Sequence, residues 1–468
     1  MKIANLLRIV VCLAFFTIAL EAQTSGVLFT VNNNADAADA NPGDRICADS
    51  AGQCTLRAAI QEVNANPASR DVIIFAMPWP TIIELTQGAL TLTSTNVSIV
   101  GPGARRLTIQ RTSAPGSIPF RILHIPNTGT TAAIRGLTIR NGLAGVFFSG
   151  GGIRIGPGAA VQLTEVAILN NTAATGGGIA NEGNLTITRS LIGSNSSSLQ
   201  GGAIHNYGGS TSIITNSTIT ENTAGTGGAI WNGGSTLLVN NTITHNAATD
   251  TARSIFSDPA GSINVLNTII GSDNTSSPNS LSGTFISLGN NIVTDARTST
   301  GFTNGVNSDQ VSNGNIINPL LGNLADNGGQ TDTRALLNGS PAINAANNCV
   351  WNGNCVLPPG PPLSRFFWDQ RRGHSRGGIF DAVDVGAYEI GGSSSSGTAF
   401  GVFNPGPAGR RLNSIVIFTN VTTNEKMYRV INPFGRFRSP QFGNEVLILE
   451  YRTKRPPAID PSVLAFPD

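Results

Sequence analysis

Apolar residues recur with a nearly constant period through the middle of the chain, from Gly150 to about Asn274. Isoleucines follow paired glycines in the phrases GGGIRI, GGGIAN, GGAIHN and GGAIWN, at spacings of 26, 25 and 26 residues, with a further isoleucine 25 residues on. A series of asparagines keeps the same step, at spacings of 24, 27 and 24. Two series that share one period predict the coils of a solenoid. The isoleucines are Ile153, Ile179, Ile204, Ile230 and Ile255, and the asparagines are Asn171, Asn195, Asn222 and Asn246.

The residues between the glycines favour strands. Runs such as NLTITRSLI and TSIITNSTIT are rich in β-branched residues and are bounded by Gly and Asn turns. The unit lacks the leucine frame of leucine-rich repeats and is shorter than the roughly 40 residues of a propeller blade. We therefore predict an all-β chain whose residues 67–300 form a right-handed parallel β-helix.

Equivalent residues of a parallel β-helix stack at about 4.8 Å, the spacing of neighbouring strands. Asn181, Asn206 and Asn232 should form one amide ladder, and the asparagine series described above should form another. We interpret both series as structural.

A helix is predicted at the N-terminal end of the solenoid, in CTLRAAIQEVNANP. Thr55 is a suitable N-cap, and Pro67 follows the helix. Its apolar face, made of Leu56, Ala59, Ile60 and Val63, is expected to cover the open end of the coils. The aspartates of the preceding loop, Asp36 to Asp49, lack EF-hand spacing, so we expect a solvated loop and no calcium site.

Composition and charge narrow the range of partners. Only 12% of residues are charged and the net charge is +2, so no nucleic-acid partner is expected. Residues 1–22 combine a basic start with an apolar run from Ile9 to Leu20, as signal peptides do. That run is shorter than the ~20 residues needed to span a membrane. We predict a secreted or cell-surface protein with no transmembrane segment after signal cleavage.

Four cysteines remain once the signal peptide is removed, which favours disulfides in an exported protein. Their positions favour the pairs Cys47–Cys54 and Cys349–Cys355. The two other pairings are formally possible, but each would need the two ends of the solenoid to meet. No histidine lies near at ligand spacing, so neither a metal site nor a cofactor is predicted.

Several motifs resemble known families. CTLRAAI resembles the motif of the CSLREAI domain of exported bacterial β-helix proteins, with Ala58 at the position of the family's glutamate. The stretch NPLLGNLADNGGQTDTRALLNGSPAINAANNC, followed by DQRRG and DVGAYE, resembles the choice-of-anchor Q domain. The resemblance implies a surface or secreted protein, with residues 23–66 as an N-terminal cap and 301–390 as the C-terminal part of the anchor Q region. We expect that part to form a cap pinned by Cys349 and Cys355.

Two further resemblances concern the repeat and the C-terminus. The GGAI phrases are similar to the repeats of chlamydial polymorphic outer-membrane proteins, which favours adhesion. GGSSSSG at 391–397 has the composition of a flexible linker. Residues 398–468 resemble a carboxypeptidase regulatory-like module, which implies an immunoglobulin-type β-sandwich.

Clustered carboxylates, which β-helix polysaccharide lyases and hydrolases require, are scarce in the repeat. Between Asn141 and Thr249, the acidic residues are Glu165, Glu182 and Glu221. Glu221 and His245 are 24 residues apart and should stack on adjacent coils, where the carboxylate would orient the histidine as a base. The simpler interpretation is a surface ion pair worth ~0–1 kcal/mol.

Residues that directly follow the inward isoleucines should point outward, because side chains alternate along a strand. They include Arg154, His205 and Trp231, and Tyr207 lies two residues after His205. Together these four residues predict an aromatic and basic strip that binds sugar rings or a protein ligand. The alternative is scattered aromatic residues that cover a loop.

The function predicted from the sequence is a non-enzymatic adhesion or recognition scaffold with a surface glycan or protein as ligand. The alternative is a polysaccharide lyase or glycoside hydrolase that acts on an acidic polysaccharide. The scarcity of carboxylates in the repeat favours the scaffold.

Overall fold

A computed structural model describes the chain. It describes residues 26–67, 70–126, 129–145, 147–252, 254–271, 280–312, 317–355, 368–371 and 382–390 in full, and the backbone of five strands between 400 and 452. The predicted signal peptide (1–22) and linker (391–397) lie outside these residues.

The described chain is nearly all-β and forms a parallel β-solenoid, which confirms the predicted fold class. Four sheets run along it, and each coil contributes one strand to a given sheet. Sheet A consists of β1 (Leu28–Val31), β2 (Asp71–Phe75), β5 (Val97–Val100), β8 (Thr131–Arg135), β11 (Ala160–Thr164), β15 (Asn184–Thr188), β19 (Thr211–Thr215), β23 (Ser235–Val239), β27 (Ser262–Leu266) and β30 (Ile286–Gly289). Sheet B consists of β3 (Thr81–Leu85), β6 (Leu107–Arg111), β9 (Thr138–Arg140), β12 (Ala167–Leu169), β16 (Leu191–Gly193), β20 (Thr218–Thr220), β24 (Thr242–Thr244), β28 (Ile269–Gly271), β31 (Ile292–Val293) and β33 (Gln310–Val311).

The other two sheets adjoin along the glycine phrases. Sheet C consists of β4 (Leu90–Thr91), β7 (Leu123–Ile125), β10 (Ile153–Ile155), β14 (Ile179–Asn181), β18 (Ile204–Asn206), β22 (Ile230–Asn232), β26 (Ile255–Ser257), β29 (Leu281–Thr284) and β32 (Thr298–Thr300). Sheet D is shorter and consists of β13 (Thr172–Thr175), β17 (Ser196–Gln200), β21 (Thr223–Thr226) and β25 (Ala247–Thr251).

The remaining elements are short. They are the helices α1 (Leu56–Ala65) and α2 (Cys349–Asn352), a 3-10 turn at Val306–Ser308, and the antiparallel pair β34 (Leu321–Ala325) and β35 (Thr333–Leu336). Near the C-terminus, β36 (Phe400–Val402) pairs antiparallel with β39 (Arg436–Arg438). β37 (Ile415–Asn420) pairs antiparallel with β38 (Lys426–Val430) and with β40 (Leu447–Arg452). That this region is a β-sandwich stays a prediction.

The isoleucine series forms the core of the solenoid. Its members pair in register from one coil to the next, and each is 0% exposed. Burial of each side chain stabilises the fold by about 1.5–3 kcal/mol. The period of the sequence is therefore the period of the structure.

Glycine is required at the first position of each pair. Gly176 and Gly201 have φ angles of 61° and 66°, and a Cβ atom on either would lie 2.3 Å from the carbonyl oxygen of the isoleucine three residues later. No side chain fits such a gap, and the left-handed backbone also disfavours other residues. The GG phrase thus marks a tight corner between sheets D and C.

Both predicted amide ladders are present. Asn171, Asn195 and Asn222 each donate from Nδ2 to the Oδ1 of the next asparagine, at 2.9, 3.0 and 2.9 Å. Each Nδ2 also donates to a backbone carbonyl oxygen of the preceding coil. Asn181 donates to Asn206 at 3.1 Å. These buried amides satisfy the polar backbone at the corners of the coils.

The N-terminal helix α1 lies where it was predicted, and its apolar side joins the solenoid core. The Thr55 hydroxyl accepts a hydrogen bond from the backbone N–H of Ala58 at 3.0 Å. The prediction of a solvated aspartate loop is wrong for three of its four aspartates, because Asp36, Asp39 and Asp49 are each only 8% exposed, whereas Asp44 is exposed. Asp36 accepts hydrogen bonds from Arg57, and the others accept from backbone N–H groups of the same loop.

The C-terminal region packs along the side of the solenoid, which corrects the expectation of a cap over its end. In the described residues 317–355, 368–371 and 382–390, apolar side chains such as Leu336 and Val385 pack against Ile269 and Ile292 of sheet B. Gln370 accepts a hydrogen bond from the Thr218 hydroxyl at 2.6 Å and donates to the Ser190 carbonyl oxygen at 3.1 Å. The outward face of sheet B is therefore covered from β12 to β31, and we call this part the covered face.

The described residues of the DQRRG motif, Asp369, Gln370 and Arg371, lie together with the DVGAYE motif in this covering region. The Arg371 guanidinium is 5% exposed, binds Asp369 at 2.6 Å and lies 3.8 Å from the centre of the Tyr388 ring. The backbone N–H of Asp384 donates to the Glu389 carboxylate. The motifs thus form a buried polar network that holds the segment together.

Both predicted disulfides are present. Cys47 is bonded to Cys54, and Cys349 to Cys355. The β-helix and the disulfides are consistent with an extracellular scaffold.

Candidate functional site

A column of outward side chains crosses the face of sheet C. The register of its strands aligns His124, Arg154, Ala180, His205 and Trp231, one residue per coil. Phe256 extends the column on the next coil. Each of these residues lies between two inward residues of its strand, so the predicted direction of the side chains holds. We call this surface the open face.

Aromatic rings stack along the column. The rings of His205 and Trp231 are 4.4 Å apart with planes 23° apart, and the Tyr207 ring lies 4.2 Å from His205. The Phe256 ring follows at 6.2 Å from Trp231. The ring faces therefore cover one another, and His205 is only 3% exposed.

His205 is uncharged at neutral pH as a result. Burial lowers the pKa of its imidazole to about 4, and the nearby Gln200 backbone raises it only in part. The buried His205 ring packs against the rings of Tyr207 and Trp231. The solvent-accessible members of the predicted strip are therefore Arg154, Tyr207 and Trp231.

A groove of about 400 Å³ lies beside the column, between sheets C and D. Its apolar wall carries three large exposed side chains, since Phe147 is 90%, Phe148 is 60% and Leu199 is 57% exposed. Its polar wall contains Arg154, Glu182 and Tyr207, and Ser149, Ala174 and Thr175 complete the lining.

The segment before β10 places the two phenylalanines. It adds to the edge of sheet D through parallel bridges from Leu143 to Thr172 and from Ser149 to Thr175. Phe147 and Phe148 lie between these bridges, so they are held beside the groove while their rings remain in water.

Polar contacts fix the other wall. Arg154 Nη2 donates to Glu182 Oε1 at 2.6 Å. The Tyr207 hydroxyl is 3.0 Å from the Thr175 hydroxyl, and this contact joins the two sheets across the groove. The wall therefore offers charged and hydroxyl groups at fixed positions to a bound molecule.

The N-terminal end of the open face is basic. Arg121 lies two residues before β7, and His124 lies in β7 next to Arg154 of the following coil. Burial lowers the pKa of the Arg121 guanidinium, and the charge of Arg154 lowers it further. Burial also lowers the pKa of the His124 imidazole, and the charges of Arg121 and Arg154 add to this effect.

Glu221 and His245 lie on adjacent coils, as predicted, and the Glu221 N–H donates to the His245 carbonyl oxygen at 3.1 Å. The Glu221 carboxylate accepts a hydrogen bond from Arg334 of the covering segment at 2.8 Å. A catalytic role for Glu221 and His245 stays a prediction, and the carboxylate has a structural partner in Arg334.

Sequence reasoning missed six large residues of this surface, which are Arg121, His124, Phe147, Phe148, Leu199 and Phe256. Phe256 directly follows Ile255, so the isoleucine series alone would have placed it. His124 precedes Arg154 by 30 residues, and this longer step hid the coil. The two phenylalanines lie in a segment that is longer than its counterpart in the next coil, since Leu143 to Ser149 lie beside Thr172 to Thr175.

Possible metal sites, membrane-spanning helices and related proteins do not add to the functional assignment. Within the described residues, no group of three histidine, cysteine, aspartate or glutamate side chains is placed to hold a metal ion. No helix in the described part of the chain is long and apolar enough to cross a membrane. No protein-family model matches the chain, and a search of curated proteins found no match.

Proposed function

We propose that the protein is an extracellular recognition scaffold that binds a glycan in the groove between sheets C and D. The observation that carries this proposal is a pair of exposed rings, Phe147 and Phe148, that line the same groove as the polar side chains of Arg154, Glu182 and Tyr207. An aromatic ring with free faces suits the apolar face of a sugar ring, while fixed charged and hydroxyl groups suit its hydroxyls.

The energetics agree with a ligand at this place. Full burial of a phenylalanine side chain contributes about 1.5–3 kcal/mol relative to leaving it in water. The neighbouring Leu199 extends the exposed apolar surface. An apolar patch of this kind with a polar rim is typical of an interaction site.

The test is glycan binding by the double variant Phe147→Ala/Phe148→Ala. Both side chains are exposed, so the fold should persist while affinity on a glycan array and in calorimetry falls at least about tenfold. The matched control is Ile213→Ala on sheet A, an exposed apolar residue (38%) on another face, which should bind as the wild type does. Equal binding by the double variant and the wild type would overturn the proposal.

The column of sheet C is tested separately. Trp231→Ala should lower glycan affinity if the ligand extends from the groove onto the aromatic stack, and unchanged affinity would remove Trp231 from the site. Tyr207→Phe keeps the ring and loses only the hydroxyl that contacts Thr175. It should therefore bind better than Tyr207→Ala.

Export, adhesion and the family assignments belong to the same proposal. The CSLREAI and choice-of-anchor Q resemblances, the predicted signal peptide and the disulfides support a secreted or surface-displayed adhesin. Fractionation of the producing cells with N-terminal sequencing should find a mature chain that begins near Gln23 outside the cytoplasm. A chain that keeps residues 1–22 in the cytoplasm would contradict export.

The enzymatic alternative has its own assay. Release of unsaturated or reducing sugar ends from uronic-acid polymers, abolished in Glu221→Ala or His245→Ala, would replace the scaffold proposal with a lyase or hydrolase. We expect no release, because the Glu221 carboxylate is held by Arg334.

A further inference from the structure

The basic end of the open face extends the groove with groups of a different chemistry. Arg154 belongs to both, since it lines the groove and pairs in register with His124 of β7. Arg121 lies on the coil adjacent to Arg154, because the backbone N–H of the next residue, Ile122, donates to the Gly152 carbonyl oxygen at 3.2 Å. Two guanidinium groups and an imidazole therefore meet at one place on the surface.

The charges at this place are not balanced within the described residues. Among the described residues, Glu182 is the one carboxylate that forms an ion pair with Arg121, His124 or Arg154, and it binds only Arg154 Nη2. The Nε atoms of Arg121 and Arg154 are buried and have no hydrogen-bond partner in the described structure. Buried cationic donors without acceptors are costly, and an anion beside them would offset both their repulsion and their desolvation.

We propose that Arg121, His124 and Arg154 form a subsite for the carboxylate of an acidic sugar, so that the glycan bound by this protein contains uronic acid residues. This inference rests on the proposed glycan-binding function and names its ligand class. Arginine presents a planar fork that matches a carboxylate, and the 2.6 Å contact between Glu182 and Arg154 shows that a carboxylate oxygen reaches this guanidinium.

The position of the subsite supports one continuous ligand. Adjacent coils are about 4.8 Å apart, so His124 lies one such step from Arg154 along the face. A chain whose uncharged ring faces contact Phe147, Phe148 and Tyr207 would reach the basic end with its next units. Glu182 then acts as a positioning residue that holds Arg154 between the two parts.

The experiment compares two forms of one ligand. Oligogalacturonate and oligomannuronate are titrated into the full-length protein by calorimetry, alongside the same oligosaccharides with their carboxylates reduced to alcohols. The acidic forms should bind at least about tenfold more tightly than the reduced forms, and added salt should shrink that difference.

Variants identify the residues responsible. Arg121→Gln and His124→Gln should each weaken binding of the acidic oligosaccharide, Arg121→Gln by about tenfold, and leave binding of the reduced form unchanged. Arg140→Gln is the matched control, because Arg140 is a half-buried arginine on sheet B that contacts Gln110. It should leave both affinities unchanged.

The outcomes separate this inference from the function on which it rests. Equal binding of acidic and reduced oligosaccharides that is still lost in Phe147→Ala/Phe148→Ala would overturn the acidic subsite and keep the glycan groove. Acidic binding that is unaffected by Arg121→Gln and His124→Gln would also overturn the subsite. Failure of every oligosaccharide to bind would overturn both proposals.

Discussion

The covered face and the open face of the solenoid share one coil period and differ in the residues that point outward. On the covered face, the outward residues of β20 and β24 are threonines, and the hydroxyls of Thr218, Thr220 and Thr242 bond to Gln370, Arg334 and the backbone of the covering segment. On the open face, large aromatic and basic side chains occupy the outward column. Small hydroxyl residues allow a second layer of chain to pack closely, while large residues leave a rough surface beside a groove.

The largest expected effect breaks the covered face. Arg371→Ala removes the cation that pairs with the fully buried Asp369. We expect the free energy of unfolding to fall by about 3–5 kcal/mol, because a buried carboxylate is left uncompensated. Guanidinium chloride denaturation measures the loss, and limited proteolysis should show cleavage within 317–390. The control Arg140→Ala should cost far less, and equal stability of the Arg371 variant and the wild type would contradict this account.

The second effect concerns the buried histidine of the open face. The pKa of His205 is about 4 in the folded protein and about 6.5 when unfolded, so the unfolded chain takes up the proton first as the pH falls. The stability that comes from the low pKa of His205 is complete above pH 6.5. As the pH falls from 6.5 to about 4, the free energy of unfolding decreases by roughly 3 kcal/mol. Denaturation at a series of pH values should show this loss. His205→Phe keeps a ring in the stack and should lack this part of the pH dependence, and an identical pH profile for both proteins would disprove it.

A third change sharpens the role of the aromatic stack. Trp231→Ala uncovers one face of the His205 ring, so it should lower the free energy of unfolding by about 1–3 kcal/mol. It should also raise the pKa of His205 toward its ordinary value, because burial causes the depression. Thermal denaturation and an NMR titration of the imidazole measure the two effects. A pKa that stays near 4 in the variant would mean that Trp231 does not bury the histidine.

The smallest effect compares an ion pair from each face. The Arg154 and Glu182 side chains are 32% and 21% exposed, whereas Arg334 on the covered face is 6% exposed. Arg154→Gln should therefore change the free energy of unfolding by less than about 1 kcal/mol. Arg334→Gln, its matched control, should cost more, since Arg334 also donates to the Thr220 hydroxyl. Equal losses of the free energy of unfolding in urea denaturation would contradict the expectation that burial under the covering segment makes the Arg334 contacts more stabilising.

The sequence predicted what the period governs. One spacing predicts the inward position of Ile204, the ladder position of Asn195 and the outward direction of Trp231. Each residue has the same environment as the equivalent residue of the adjacent coil. The N-cap at Thr55 and both disulfides followed from local spacing and the small number of cysteines.

Features without a period were harder to predict. The covering of sheet B depends on contacts between residues more than 100 positions apart, such as Arg334 with Thr220, and no local pattern records them. Alternation gave the direction of His205 but not its burial, which depends on the rings around it. The burial of the aspartate loop was missed because Asp39 and Asp49 bind backbone N–H groups of the same loop, and the partner of Asp36, Arg57, lies 21 residues further along the chain.

The length of sheet D has a consequence for ligand size. Its four strands and the bridged segment 143–149 are separated by four steps of about 4.8 Å, so a second wall lies beside sheet C for only about 19 Å along the solenoid. An oligosaccharide shorter than this distance can be enclosed on both sides, whereas each further unit gains contacts from sheet C alone. The affinity for an oligosaccharide should therefore rise steeply with the length of its chain up to that limit and slowly beyond it.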